Sequence, residues 1–584
     1  MSDMINFNEI FNKVQRPGRY IGGEVNSVRK EHSEEKISIA LAYPDIYEVG
    51  MSYLGLRILY HLLNEMDDVV CERVFTPWSD MENEMLNSGL KLFGLETRRE
   101  VDKFDIVGFS LSYELTYTNV LNMLKLSGIP VRGQDRGDKD PLIIAGGACC
   151  YNPEPMSDFI DIFFIGDAEE TLPVFVERYR GLKGKYPRKE MLEKFADLPG
   201  IYIPSLYEDK FDGDNFQGLY PKTSSAPRFI KKGYITDLDS AYYPTRQIVP
   251  FIKIVHDRFA VEIMRGCPNK CRFCQATVIN RPVRIRKADT IKRICAETCA
   301  NTGYDQFALL SLSSVNYPGL PHLVKDLTDE FRPGGISISI PSLRIDDSFY
   351  ELPEIIASVK KTGLTFAPES AEPAIQKAIG KSMDRDVLLR SASVAYEKGW
   401  QKLKLYFMVG FPLDIDTEVR EIAVLSKEIS DLKRKYSKSP AELKVSVNPF
   451  VPKPHTPFQW FGMRDREHLL SAKSNLLFYR SRRIAYEFYD VDRAMLEACL
   501  SRGDRRMGKV IYDAWAGGAR MDSWDDCFNL SVWEKAFHDN HLNREQLAMK
   551  RYELEAPLPW SHIKTNVEDA FLKAELKDSG FYCP

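Results

Sequence analysis

Cys267, Cys271 and Cys274 stand in the stretch Gly266-Cys267-Pro268-Asn269-Lys270-Cys271-Arg272-Phe273-Cys274, a C-x3-C-x2-C spacing. Three thiolates on one short loop can hold three corners of an iron–sulfur cluster. Full ligation of a four-iron cluster takes four cysteines, and no fourth follows at cluster spacing. The loop therefore points to one iron left open for a ligand, which is a site for chemistry as well as for electrons. A zinc site would also need a fourth ligand. The next cysteines, Cys295 and Cys299, fall in a helical pattern over 291–300.

The elements that must position this loop are strands. A strand is predicted over 260–264, directly before the loop, and others over 306–312, 335–340, 363–367, 402–409 and 443–448. Each gap is long enough for a helix; the one after Val409 carries a helical pattern over 416–435. Six strand–helix units are too few for a closed eight-stranded barrel. An open six-unit partial barrel, or another α/β sheet, remains. Upstream, apolar runs predict strands over 37–42, 69–74, 105–111, 142–147 and 160–166, with helices over 54–64, 117–127 and 168–179. That alternation predicts a doubly wound parallel sheet. Such sheets bind ligands at the carboxyl ends of their strands, where Tyr43, Ser110, Ser112, Gly146, Gly147 and Gly166 stand. After 459 the strand pattern stops, and helices are predicted over 468–489, 493–500, 506–516, 533–538 and 543–554. The expected fold class is α/β. Its layout is a lead-in over 1–36, a doubly wound sheet over 37–180, a connector over 181–255, a partial barrel over 256–458 and a mainly helical region over 459–584.

Bulk properties narrow the class. The 584 residues are 44% hydrophobic and 28% charged, enough for several cores. A net charge of −4 gives no global drive toward nucleic acid or membrane. Eleven cysteines, an odd number without paired spacing, argue against a disulfide framework. The first residues lack the basic and apolar regions of a signal peptide. No apolar run reaches the length of a membrane span, so the cytoplasm is the expected location.

The run Gly266-Cys267-x3-Cys271-x-Phe273-Cys274 resembles the signature of the radical S-adenosylmethionine (SAM) superfamily, including the aromatic Phe273 before the last cysteine. The resemblance implies that Cys267, Cys271 and Cys274 hold a [4Fe-4S] cluster in a (β/α)6 partial barrel. It implies that the open iron is chelated by the amino and carboxylate groups of SAM. An electron entering the sulfonium then yields a 5′-deoxyadenosyl radical, so a reducing partner such as flavodoxin or ferredoxin is implied. The matching SAM-binding positions are Phe273, Ser313 (or Ser311), Ser339, Arg344, Glu369 and Gly410. The second strand ends in Leu310-Ser311-Leu312-Ser313-Ser314, a departure from the Gly-Gly-Glu run that many members carry there. The proline-rich turn over 448–457 is rigid and would place Lys453 or His455 at the barrel mouth.

The parallel sheet before the barrel resembles the cobalamin-binding domain of cobalamin-dependent radical SAM enzymes. That likeness implies a corrin held by Tyr43, Tyr47, Ser110, Ser112, Gly146, Gly147 and Gly166. In Asp45-Ile46-Tyr47-Glu48-Val49-Gly50, Tyr47 stands where the cobalt-ligating histidine of D-x-H-x-x-G would be. The usual lower ligand is thus missing, and a degenerate domain that binds no corrin is the competing reading. The order of the chain over 15–580 resembles a bacterial branch with this fusion, which brings no substrate with it. Three functions are open: cobalamin-dependent methylation of an unactivated carbon, a cobalamin-free radical enzyme acting on RNA or a metabolite, and a non-catalytic metal-binding protein that grips RNA. The last would use Arg480, Arg482 and Arg483 among Phe478, Tyr479 and Tyr486, with Arg502, Arg505 and Arg506.

Overall fold

A computed structural model describes residues 7–341, 364–411 and 415–581. The first sheet has the order β2-β1-β3-β4-β5-β6. Its strands are β1 (Ile37–Tyr43), β2 (Val69–Phe75), β3 (Ile106–Ser110), β4 (Leu142–Gly146), β5 (Ile162–Phe164) and β6 (Ile201–Tyr202). β1 to β5 are parallel, as alternation predicts. β1 and β2 are buried along their whole length, which is why their sequences are runs rather than alternations. Arg73 inside β2 survives burial because it is paired: it meets Glu24 at 2.8 Å and Glu96 at 2.7 Å. Glu24 belongs to the lead-in, which is thereby tied to the sheet.

One expectation is corrected here. The sheet gains a sixth, antiparallel edge strand, β6, from the stretch predicted as connector. The rest of that stretch forms a hairpin of β7 (Tyr207–Asp212) and β8 (Asn215–Pro221), followed by β9 (Ile230–Lys231).

The second half begins with β10 (Phe259–Glu262). A small antiparallel ribbon, β11 (Met264–Arg265) with β12 (Arg284–Ile285), brackets the cysteine loop. β10 pairs in parallel with β13 (Gln306–Leu310), and β13 with β14 (Ser337–Ser339). Among the described residues a separate parallel sheet follows, β15 (Leu364–Glu369), β16 (Lys402–Val409), β17 (Glu442–Pro449) and β18 (Ile484–Phe488). Helices Ala288–Thr302, Leu320–Phe331, Arg385–Glu397, Ile415–Leu432 and Arg466–Phe478 lie between successive strands. The six predicted strands are all present. β18 is a seventh, in a segment expected to be helical. The helix there stops at Phe478, and the next residues turn back to pair with β17.

The remaining chain is helical, through Val491–Arg502, Arg506–Ala516, Leu530–Asp539, Arg544–Met549 and Asp569–Asp578, with β19 (Ile563–Lys564) pairing in parallel with β9. The first four of these helices share one apolar core with the first sheet, Asp569–Asp578 packs in a separate cluster with Phe411, Phe450 and Phe458, and the three-stranded and four-stranded sheets each have a core of their own. Thr118 donates to Asp522 at 2.7 Å and the Trp524 indole to Asp45 at 3.0 Å across that shared interface. No helix among the described residues is long and apolar enough to cross a membrane.

Candidate functional site

The cysteine loop leaves β11 through Gly266, whose φ is 91°. A Cβ there would sit 2.7 Å from the Asn280 carbonyl oxygen, so only glycine fits. Cys267 is buried, Cys271 and Cys274 are half-buried, and none of the three is in a disulfide. The loop is held from outside. The Arg272 amide donates to the Ile379 carbonyl at 2.8 Å, and its guanidinium donates to the Ala378 carbonyl at 2.8 Å and pairs with Glu575 at 2.9 Å. A Cβ on Gly380 would lie 2.6 Å from the Lys270 carbonyl oxygen, which marks how closely the next helical turn approaches. Phe273 packs against a cluster that includes Phe411, Phe450 and Phe458. The aromatic ring therefore anchors the loop in the core.

From inside, Asn269 donates to the Cys267 sulfur at 3.2 Å and to Asn316 Oδ1 at 3.1 Å. Hydrogen bonds to ligating sulfur are one of the means by which a protein sets a cluster's potential. Among the described residues no three His, Cys, Asp or Glu side chains converge on a point for a single metal ion. Thiolates of a four-iron cluster bind separate irons and need no such point. Cys295 does not complete a zinc set. It is fully buried with Phe259 and Phe307, and burial raises its thiol pKa well above the ordinary value.

The predicted SAM positions lie at the C-terminal ends of successive strands. Beyond β13, Ser313 donates to Asn316 at 2.7 Å and lies 3.4 Å from the Asn269 amide, so it adjoins the cysteine loop. Ser311 is paired with Ser314 at 2.9 Å. Ser339 ends β14, half-buried. Glu369 ends β15 with φ 67°, a left-handed conformation that strains a non-glycine residue, and accepts from Lys381 at 2.8 Å. Gly410 follows β16 with φ 91°, and its amide donates to Glu418 at 3.2 Å. Arg344 lies outside the described residues. Three participants were not singled out from sequence: Asn269, Asn316 and Glu418. Asn269 stands inside the motif, and its amide was the available signal. Glu418 is buried, and burial pushes its carboxyl up to about 8 against the opposing pull of the Gly410 amide and Arg464.

A cavity of about 610 Å³ opens between the two halves. One wall is the C-terminal edge of the first sheet, with Ser110, Gly146, Gly147 and Gly166; the other includes Ala260 and Glu262 on β10 and Leu310 on β13. The order β2-β1-β3-β4-β5 reverses direction between β1 and β3, and ligands of open α/β sheets bind at such switch points. Gly147 and Gly166 have φ of 118° and 111°, and a Cβ on either would strike backbone, Leu111 at 2.5 Å or Gly233 at 1.9 Å. Three of the predicted residues, Tyr43, Tyr47 and Ser112, do not line this wall. Tyr47 is buried and donates to Glu24 at 2.7 Å, drawn into the Arg73 cluster. Tyr43 stands behind Tyr53, with ring centroids 5.5 Å apart, and burial pushes its hydroxyl up to about 12 despite the nearby Ser112.

One flank of the cavity is a closed ionic network. Arg265, next to the cysteine loop, meets Glu169 at 2.7 Å, Glu262 at 2.8 Å and Asp167 at 3.3 Å. Arg284 also pairs with Asp167. Burial opposes charge on Asp167, yet the two arginines hold its carboxyl below the usual range. Lys453 and His455 are not presented at a mouth. Lys453 is locked between Glu114 at 2.9 Å and Glu497 at 2.8 Å. His455 is buried against the Tyr151 carbonyl at 2.8 Å, and burial lowers its pKa to about 4. The second arginine set is structural too. Arg502 donates to the Lys550 carbonyl at 2.9 Å, Arg505 binds Glu154 at 2.6 Å and Arg506 binds Asp504 at 2.8 Å.

Residues 55–204 match the family model described as radical SAM proteins, N-terminal, and residues 261–425 match that of the radical SAM superfamily. An uncharacterised protein of Methanocaldococcus jannaschii is 27% identical over 479 residues, 81% of this chain and 90% of that one. The ribosomal protein uS12 methylthiotransferase RimO of Pelotomaculum thermopropionicum is 22% identical over 286 residues, 44% of this chain and 61% of the enzyme. Among solved structures, the radical SAM methyltransferase TsrM from Kitasatospora setae, with cobalamin and a [4Fe-4S] cluster bound, has a similar fold. The TM-score is 0.52 at 10% identity, over 86% of this chain and all of that one. With both family models matched and the cysteine loop following β10 and β11, the chain belongs to the radical SAM superfamily, an enzyme family that implies a [4Fe-4S] cluster and SAM.

Proposed function

We propose that this enzyme is a cobalamin-dependent radical SAM methyltransferase acting on an unactivated carbon. The observation that carries the reading is the cavity between the two sheets. Its volume, about 610 Å³, lies in the range of ligand-binding clefts. Its floor is apolar and includes Leu41, Ile144 and Leu310, and its first wall is glycine- and serine-rich backbone against which a flat macrocycle could lie. The fold shared with TsrM, an enzyme seen with cobalamin and a cluster, supports the same reading.

Cys267, Cys271 and Cys274 would hold the cluster. Ser313, Ser339, Glu369 and Gly410, with Arg344, would hold SAM. Ser110, Gly146, Gly147 and Gly166 would cradle the corrin. When bound, the cluster supplies the electron that splits SAM, and the corrin supplies a transferable methyl group. The chain's own part is to orient and to exclude water. Arg265 and its three carboxylates fix the cavity flank beside the cysteine loop, and Asn269 positions the Cys267 sulfur. The overall change balances: one substrate C–H bond, two SAM and two electrons give one C–CH3 bond, 5′-deoxyadenosine, methionine and S-adenosylhomocysteine. The electrons would come from a flavodoxin- or ferredoxin-like donor.

Anaerobically reconstituted protein with a reductant is expected to release 5′-deoxyadenosine, measured by mass spectrometry, and Cys271→Ala is expected to release none. Undiminished cleavage in that variant would overturn the cluster assignment. Protein purified from cobalamin-fed cells should show a corrin spectrum, and its absence would overturn the cobalamin assignment.

A further inference from the structure

Away from the Arg265 network, the cavity lining carries positive charge without a carboxylate partner. Arg57, His256 and Arg258 all belong to it. Arg57 is buried, yet its guanidinium reaches no carboxylate. Nε donates to the Met51 carbonyl at 2.7 Å, Nη2 donates to the same oxygen, and Nη1 donates to Gln247 at 3.2 Å. A guanidinium has five N–H donors, so two remain. Arg258 is half-buried, and although its amide donates to the His256 carbonyl at 2.8 Å, its guanidinium makes no hydrogen bond or ion pair among the described residues; burial alone lowers its pKa. The His256 ring lies within electrostatic reach of both, and after burial Arg258 and Arg57 are what disfavour its proton. Asp257, between His256 and Arg258 in sequence, forms no ion pair among the described residues. The carboxylates of this cavity, Asp167, Glu169 and Glu262, are already bound to Arg265.

A guanidinium withdrawn from water without a partner is unfavourable, and a carboxylate or phosphate supplied from outside corrects this. Arginine forks suit the planar oxygens of such groups. The lining also carries the apolar side chains of Leu41, Ile58, Leu59 and Ile144.

We propose that Arg258 and Arg57, with His256, form an oxyanion subsite for a carboxylate or phosphate carried on an apolar body that fills the cavity. The subsite follows from the cavity itself, and only its corrin arm rests on the cobalamin reading above. The oxyanion has two candidate sources. One is the phosphodiester tail of the corrin, and the other is an acidic substrate.

The test uses the full chain with its cluster reconstituted. Inorganic phosphate is added alone and the melting temperature followed. Aquocobalamin and cobinamide, which lacks the phosphate-bearing tail, are titrated optically. Phosphate is expected to stabilise the wild type and not Arg258→Gln, with Arg258→Lys keeping part of the effect. If the corrin tail is the source, Arg258→Gln should weaken aquocobalamin roughly ten- to hundredfold, the range for one lost charge-assisted hydrogen bond, and leave cobinamide unchanged. If the substrate is the source, both corrins should bind the variant as they bind the wild type, with phosphate stabilisation still lost. Equal response to phosphate in wild type and Arg258→Gln, or none in either, overturns the subsite. Failure of aquocobalamin to bind the wild type overturns the cobalamin reading and leaves the phosphate result to decide the subsite.

Discussion

Glu418 keeps a carboxyl in the core under Gly410, and its titration should be visible in stability. Burial favours the neutral form and moves the group from its ordinary 4.5 to about 8. Between those values the folded chain holds a proton that the unfolded chain has released. Stability must therefore fall as pH rises through that window. At about 1.4 kcal/mol per unit the total is a few kcal/mol. Glu418→Gln retains an oxygen for the Gly410 amide and removes the titration. Calorimetry should show the variant more stable than wild type at pH 8 and nearly equal to it at pH 5; a gain of the same size at both values would refute the assignment. Residues of this kind are hard to see in sequence. The three cysteines announce themselves by spacing, because their chemistry is local. Glu418 acts on Gly410 eight positions away through a fold that must first exist. Tyr47 shows the opposite error: its place after the first strand suggested a ligand position, while a buried arginine on the neighbouring strand claimed its hydroxyl through Glu24.

Among the elements, β18 is the one that sequence pattern concealed. Its five residues, Ile484-Ala-Tyr-Glu-Phe488, alternate in burial, but they follow a helical apolar pattern and the arginines at 480, 482 and 483. A window wide enough to detect a helix runs across both. The longer strands β1, β2, β16 and β17 were legible, the first two as buried runs and the last two as stretches of eight residues whose burial largely alternates. β6 has two residues and no pattern to read. Register gives β18 its role: Ile484 pairs with Leu443, Tyr486 with Val445 and Phe488 with Val447. Ile484 is buried in the core of the four-stranded sheet. Ile484→Ala is expected to cost about 2–5 kcal/mol in denaturant unfolding, as for other buried large-to-small changes. A cost below about 0.5 kcal/mol, typical of exposed sites, would show that the segment is not a packed strand.

At the level of the whole molecule, the first sheet and the C-terminal helices are one body, joined through ions that neither has alone. Arg505 donates to Glu154 at 2.6 Å, the Tyr202 hydroxyl donates to the same carboxylate at 2.7 Å and His562 approaches it at 3.3 Å. Burial opposes charge on Glu154, but Arg505 and His562 hold its pKa at about 2, below its ordinary 4.5. The pairing therefore stabilises the fold above about pH 4.5, and that contribution is lost as pH falls toward 2. Arg505→Met strands a buried carboxylate and should cost about 3–5 kcal/mol near neutrality. The difference from wild type should shrink on acidification, because the orphaned carboxyl then takes up a proton. A difference that stays constant from pH 7 to pH 3 would count against the pair. None of this was legible in the sequence, where Glu154 and Arg505 stand 351 positions apart.

Arg272 and Glu575 are separated by 303 positions, yet their ion pair braces the cysteine loop. On a ribosome the three thiols emerge long before the helix Asp569–Asp578 that supports them. Until that helix docks, the loop lacks its brace and part of the packing around Phe273, to which Leu572 and Leu576 contribute. Cluster insertion thus has a natural order in time: the helix Asp569–Asp578 docks first, and only then is the loop braced to receive iron and sulfide.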